Sequence, residues 1–407
     1  MSFKWFEECL ACKSKEFYTI LDLGEHPLPN KLPSNPKESL NKYPLGLNFC
    51  VRCCHIQLFG VPEEPMFEDY SYVNTSKSYR THQEDIVRYW DSKNLGNIVL
   101  DVGGNDGALA RAFSNRAYYA SVIDPSLNLQ WERFVNCVPA YTGYFTQEIA
   151  EKIIPRPDLI TMCNVLPHTP DPEGMLKAAA IALYPSGSSR ILVEFVYAKS
   201  TYELRDLGQI YHEHCSYFTL NSLKTLLDRL DMSVNDIMFF PEVHGGTIRV
   251  LINPNFQPSD HCPKFYEMLH AENLSGVVDF ECLKEWGQLL KDNVKTLSDK
   301  ALSFPLGRKA IFYGASAKTS TLFNMHEFSN SWLVNYAVDD NPLKQSKYIP
   351  GTAIPIKHPS EISKEDNPVI YIGAHNHKAD LINRIKALTP KATVVNYVPV
   401  IQVEEIE

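Results

Sequence analysis

The run Ile98-Val99-Leu100-Asp101-Val102-Gly103-Gly104-Asn105-Asp106-Gly107-Ala108-Leu109-Ala110 constrains the fold more than any other stretch. Its nearly unbroken apolar opening predicts a central parallel strand covered on both faces, and Ala108 opens a helix. Between them Gly103, Gly104 and Gly107 permit positive φ and leave room for a ligand to lie against the backbone. The turn reads G-G-x-D-G, which fits neither the phosphate loop G-x-x-x-x-G-K-[ST] nor a full G-x-G-x-x-G fingerprint. Asp124 closes the next apolar strand, Tyr119 to Ile123, where a doubly wound sheet puts a carboxylate within reach of ribose hydroxyls. A glycine turn carrying Asp101, Asn105 and Asp106, with Asp124 beside it and no lysine, suits a neutral or cationic adenosine ligand. S-adenosylmethionine is the expected guest; a dinucleotide or a purely structural turn are the alternatives.

The chain of 407 residues exceeds what one core usually sustains, so two or three domains are expected. A net charge of −9 without a basic stripe argues against a nucleic-acid partner. No apolar segment approaches a membrane span, and the polar, acidic start lacks the regions of a signal peptide, so a cytoplasmic address is expected. In that compartment the ten cysteines read as metal ligands or core residues rather than disulfides. Cys9-x-x-Cys12 and Cys50-x-x-Cys53 form two knuckles able to close a tetrahedral thiolate site on structural Zn²⁺. Cys54 or His55 can replace Cys53 as the fourth ligand, and four unbound buried cysteines are the plain alternative.

The aromatic and hydroxyl-rich stretch before His82 includes Tyr72 and Tyr79, which suit stacking on a ligand as well as a simple interdomain connection. A fourth strand from Asp158 ends at Asn164 to Asp171, including His168, where open α/β sheets collect ligand-binding loops. Glu194 lies inside the apolar fifth strand and requires either a buried base or a pocket. Tyr211-His212-Glu213-His214 is the densest cluster of titratable groups, and it is not H-E-x-x-H, so a zinc hydrolase is disfavoured. A histidine there can serve as a general base, or merely hydrogen-bond to backbone. His244-Gly245-Gly246 is a bend whose amides can approach an anion. A second strand, glycine turn and helix start follows at Lys309 to Ser320, where Gly314, Ser316 and Lys318 suit a phosphate. The chain thus holds two similar α/β halves, and a ligand in the cleft between them would meet both.

Taken together, these motifs resemble the three-domain S-adenosylmethionine-dependent C-methyltransferases of deoxysugar biosynthesis. The resemblance rests on the cysteine knuckles with Leu21-Asp22-Leu23-Gly24 and Pro27-Leu28-Pro29-Asn30, the Asp101-to-Gly107 turn, the Tyr211-to-His214 box with Ser216-Tyr217-Phe218, His244-Gly245-Gly246, and Tyr313-Gly314-Ala315-Ser316-Ala317-Lys318. It implies an α/β architecture: an N-terminal zinc-binding domain (1–72), a central Rossmann-like class I methyltransferase domain (73–255) and a C-terminal Rossmann-like domain (256–407) that helps hold a nucleotide-diphosphate sugar. It further implies proton removal beside a sugar ketone by His214, with Glu213 and Tyr211 lining the site, and attack of the enolate on the sulfonium methyl. Cofactor residues would be Asp101, Gly103, Asn105, Asp106, Asp124, Asn164 and His168; substrate residues would be Tyr72, Tyr79, His244, Gly314, Ser316, Lys318, His375 and Asn376. A monomer or weak homo-oligomer is expected. The sequence departs from the family at Gly104, often serine, and at Asp124, often glutamate, both mild exchanges for cofactor binding; Cys54 and His55 replace a glycine and an apolar residue. His375-Asn376-His377 replaces an aromatic-Asn pattern. Methylation of oxygen or nitrogen on the same fold, or a non-catalytic binding protein, are the competing functions.

Overall fold

Three main sheets follow one another in the computed structural model, which describes residues 2–68, 77–129, 139–254, 261–305, 307–328, 333–375 and 378–407. Tyr72 and Asn376 lie outside the described residues. Near the N-terminus, β1 (Phe3–Trp5) pairs with β5 (Gly60–Pro62), while β2 (Phe17–Pro27), β3 (Lys42–Cys50) and β4 (Ile56–Leu58) form an antiparallel sheet. The fourth strand of that sheet, Ser216–Tyr217, comes from far along the chain and aligns against Gln57 and Ile56. The residues just after the Tyr-His-Glu-His box are therefore hydrogen-bonded to the N-terminal sheet, although their place in the sequence lies within the central segment.

The central sheet contains β6 (Ile98–Val102), β7 (Tyr119–Asp124), β8 (Ala140–Thr142), β9 (Leu159–Cys163), β10 (Arg190–Val196), β12 (Ser233–Phe240) and β13 (Thr247–Asn253), with β11 (Ser216–Tyr217) diverted to the N-terminal sheet. Their order is β8-β7-β6-β9-β10-β13-β12, parallel except for β13, which runs against both neighbours. The order reverses between β6 and β9, so the crevice at the carboxyl ends of those strands opens above the glycine turn. Glu194 resolves its two readings in favour of a buried base. Arg249, its register partner on β13, donates from Nε at 2.8 Å, and His82 of the helix Lys77–Lys93 lies 2.6 Å away. Losing Arg249 would strip the buried carboxylate of its fixed positive partner.

The third sheet comprises β14 (Ala310–Tyr313), β15 (Val334–Val338), β16 (Ile356–Lys357), β17 (Val369–Ile372), β18 (Ala392–Asn396) and β19 (Gln402–Ile406), in the order β16-β15-β14-β17-β18-β19. It too reverses beside its first strand, at the Gly314 turn. One long helix, Phe280–Leu302, joins this half to the N-terminal sheet. Leu283, Trp286, Leu290, Val294 and Leu297 form its buried stripe at helical spacing, in a core shared with Leu47 of β3 and Phe312 of β14. Gly287 sits in the same stripe because a Cβ there would meet the Ile20 carbonyl oxygen of β2 at 2.2 Å. That close approach is worth the roughly 1 kcal/mol a mid-helix glycine costs.

Candidate active site

Cys9 and Cys12 lie in the turn before β2, and Cys50 and Cys53 in the turn closing β3. Their four sulfurs lie within 4.8 Å of one another, with Cys9 to Cys53 at 3.6 Å and Cys12 to Cys50 at 3.5 Å. A tetrahedral zinc with bonds of about 2.3 Å requires sulfur–sulfur edges of about 3.8 Å, so the donor set fits the ion with little adjustment. The alternatives for the fourth ligand fall away. Cys54 turns out of the cluster at a φ of 59° with Sγ 3.7 Å from the Val278 carbonyl, and the buried His55 lies 3.2 Å from Ser216 Oγ and packs on Phe218.

The turn after β6 is left-handed at Gly103 (φ 66°), Asn105 (φ 54°) and Gly107 (φ 76°). Asp124 holds it open by accepting from the amides of Asn105 at 2.9 Å and Ser126 at 2.8 Å. Asp101 is buried and accepts from Thr161 Oγ1 at 2.6 Å; burial, with Asp124 and Asp106 nearby, pushes its pKa up to about 7. A cation entering the crevice relieves that crowding, which suits the sulfonium of S-adenosylmethionine. Glycine at 104 fits without displacing its neighbours, whereas a Cβ would stand 2.3 Å from Val122 Cγ2 and 2.6 Å from Asp101 Oδ2. Gly104→Ser is expected to destabilise the protein by about 1–3 kcal/mol through overpacking and to weaken S-adenosylmethionine binding about tenfold. Thermal unfolding and calorimetric titration read the two effects; wild-type affinity would show that Val122 yields freely.

A cavity of about 350 Å³ runs from this turn to the C-terminal sheet, within the range that holds small-molecule ligands. It is lined by Asp101, Gly103, Asn105, Asp106 and Asp124, by Asn164 and His168 after β9, by Tyr79 and His244, by Tyr211 and His214, and by Ser316 and Lys318. The sequence candidates from both α/β halves thus share one space. Tyr79 meets the edge of His244 with ring centroids 5.3 Å apart, and His168 stands edge-on to His214 at 4.8 Å.

Successive residues of the box point to different places. His212 is buried and lies 3.2 Å from the Tyr43 carbonyl, on the N-terminal domain. Glu213, implied by the resemblance to line the site, is not among the cavity-lining residues; its carboxylate accepts from Asn30 Nδ2 at 2.6 Å, and Asn30 lines the cavity in its place. His214 faces the cavity between Tyr211 Oη, 2.7 Å from Nε2, and the Gln209 carbonyl, 2.7 Å from Nδ1. Burial, with His168 nearby, holds its pKa well below the usual 6.5, so the ring is neutral at neutral pH.

At the second glycine turn the lysine expected to meet a phosphate already has a partner. Lys318 lines the cavity, but its Nζ donates to buried Asp206 at 2.7 Å, which neutralises the charge expected to meet a phosphate. Gly314 and His375 lie outside the lining residues. Gly314 serves the backbone: it takes a φ of 107° and donates to the Val338 carbonyl at 2.8 Å, while His375 packs edge-on against Tyr397 with Nδ1 3.3 Å from Asn396 Oδ1. Sequence reasoning missed Arg80, paired with Asp106 at 2.7 Å, as well as Gln209 and Lys344, all of which line the cavity. Arg80 follows Tyr79 by one position, and only that neighbourhood could have pointed to it.

The chain is similar to known methyltransferases along most of its length. A zinc binding domain model matches residues 9–67, a methyltransferase domain model 76–235, and a C-methyltransferase C-terminal domain model 242–399. The C-methyltransferase NovU of Streptomyces niveus is 26% identical over 396 residues, covering 93% of this chain and 92% of that protein. A ubiquinone biosynthesis O-methyltransferase of Alkalilimnicola ehrlichii is 33% identical over 97 residues, 23% of this chain and 39% of that protein. Among solved structures, magnesium protoporphyrin IX methyltransferase of Synechocystis PCC 6803 matches with a TM-score of 0.35 at 15% identity, covering 45% of this chain and 88% of that one. With three domain matches succeeding one another along nearly the whole chain, and all three segments supplying walls of one cavity, the protein is an S-adenosylmethionine-dependent methyltransferase whose domain order is that of the C-methyltransferases it is similar to.

Proposed function

We propose that the protein methylates the carbon next to the ketone of a nucleotide-linked keto-deoxysugar, through an enolate whose formation depends on His214. The observation that carries this reading is a neutral imidazole fixed in the wall of the same cavity as the glycine turn. Bound S-adenosylmethionine supplies the electrophilic methyl group. The protein supplies the rest. A ketone acidifies the adjacent C–H, a positioned base removes the proton, and hydrogen-bond donors stabilise the enolate oxygen in a site shielded from water. Tyr79 and Asn164 line the cavity and are the described candidates for that donor. The nucleotide-diphosphate portion of the substrate is assigned to the Ser316 and Lys318 end, where it would share Lys318 with Asp206.

Methylation of a hydroxyl or amine on this fold would need no carbon acid. The two reactions separate when a 4-keto nucleotide-sugar deuterated at the carbon next to the ketone is turned over in ordinary water. Carbon methylation is expected to release the deuteron, detected as a product lighter by one mass unit than the intact methylated sugar. A methylated product retaining all of its deuterium would assign the acceptor to oxygen or nitrogen.

A further inference from the structure

The hydrogen bonds around His214 leave the lone pair of the presumed base already occupied. Nδ1 lies 2.7 Å from the Gln209 carbonyl, which only accepts, so in the neutral ring Nδ1 carries the hydrogen and Nε2 the lone pair. The opposite tautomer would set two lone pairs against each other at that distance. Tyr211 Oη, 2.7 Å from Nε2, therefore donates to it. Neither partner is free to swing aside. The Tyr211 and His214 rings lie against each other at 4.1 Å, and the edge-on His168 closes another side. The Gln209 oxygen also accepts from Tyr217 Oη at 2.9 Å, while the Gln209 side chain donates to Asp206 at 3.0 Å.

We propose that Tyr211 Oη, rather than His214 Nε2, is the atom that takes the proton from the acceptor carbon, with His214 receiving the tyrosine's own hydrogen behind it. This rests on the carbon-methylation reading above. In the step, the C–H bond breaks and its electron pair enters the enolate. The proton forms a new bond to a lone pair of Tyr211 Oη while the original hydroxyl hydrogen crosses to Nε2. The products are an enolate, a neutral tyrosine and an imidazolium, so charge and atoms balance without a free phenolate. The groups facing His214 oppose one another: burial, His168 and Lys318 disfavour its charged form, and the Gln209 carbonyl and Asp206 favour it. The imidazolium is therefore held chiefly by the enolate beside it, and once methylation consumes the enolate the proton is readily lost.

The test compares wild-type holoenzyme with Tyr211→Phe and His214→Asn, incubated in deuterium oxide with a thymidine diphosphate 4-keto-6-deoxyhexose. Exchange at the carbon next to the ketone is followed by mass spectrometry. The relay predicts that both variants lose exchange and methyl transfer about 100-fold or more while retaining S-adenosylmethionine affinity within a few fold, which shows that they are folded. It also predicts a solvent isotope effect on the wild-type loss of the carbon-bound hydrogen, linear in deuterium fraction, because the tyrosine hydrogen is the one solvent-exchangeable hydrogen that moves in that step. Exchange retained or increased in Tyr211→Phe, with a wild-type rate insensitive to deuterium fraction, would mean that uncovering Nε2 suffices, and the relay would be wrong. A wild-type enzyme that methylates this sugar without ever releasing the carbon-bound hydrogen would instead overturn the carbon-methylation reading itself.

Discussion

Stripping zinc with a chelator, or replacing Cys50 by serine, is expected to unfold the N-terminal domain and abolish methyl transfer, although none of the four zinc-site cysteines lines the cavity. The four sulfurs are gathered by the turn before β2 and the turn closing β3, and apart from the metal those turns are tied by a few hydrogen bonds such as Leu10 N–H to Gln57 Oε1 at 2.8 Å. Structural zinc contributes on the order of 10–16 kcal/mol in comparable small thiolate sites, more than a four-stranded sheet of this size offers by itself. The damage would travel to the active site by two routes. β4 is the hydrogen-bonding partner of Ser216–Tyr217, two residues after His214, and Asn30 both lines the cavity and holds Glu213 at 2.6 Å. Metal analysis alongside far-ultraviolet circular dichroism and activity checks the expectation. A chelated protein that keeps its fold and its rate would show that the cysteines are ordinary core residues.

His214→Asn is expected to lower kcat about 1,000-fold or more while leaving the dissociation constant of S-adenosylmethionine within a few fold. General base catalysis is worth about 10²–10⁴ in rate, and the asparagine amide fits the space without supplying a titratable acceptor. The cofactor crevice is built from the β6 turn and Asp124, so it loses nothing. The same assignment sets a pH dependence. The folded protein holds the His214 pKa well below 6.5, and the neutral ring is the working form, so activity is present above that depressed value and lost as pH falls through it. The acid limb of kcat/KM in the wild-type enzyme should accordingly lie below pH 6.5. An acid limb at or above 6.5, or substantial turnover by the asparagine variant, would remove His214 from the proton-transfer path.

Side-chain pairing across the fold, rather than chain periodicity, separates what was readable from what was not. Ile98–Val102 reads as a covered strand because both faces of a central parallel strand are apolar, and it lies mid-sheet between β7 and β9. The two C-x-x-C knuckles read as a metal site because thiolates at that spacing have one common use, and their sulfurs do converge. Lys318 read as a free cation because nothing nearby in sequence neutralises it; its partner Asp206 lies 112 positions away. Glu213 and Asn30 likewise meet across 183 positions. A two-residue strand such as Ser216–Tyr217 has no period to detect.

The sequence alone determined the two glycine turns, the order of the strands along the chain, three of the four thiolate ligands and the presence of a tunable imidazole in the Tyr-His-Glu-His box. Each of these is a local property, set by φ freedom, by alternation of apolar residues or by the chemistry of one residue type. Only the tertiary structure decided which box residue faces the cavity, that Asn30 of the first domain stands in its wall, that Asp206 neutralises Lys318, and that Tyr211 covers the His214 lone pair. Those outcomes depend on hydrogen bonds between residues brought together by packing, and a bond of that kind leaves no trace in the spacing of either partner.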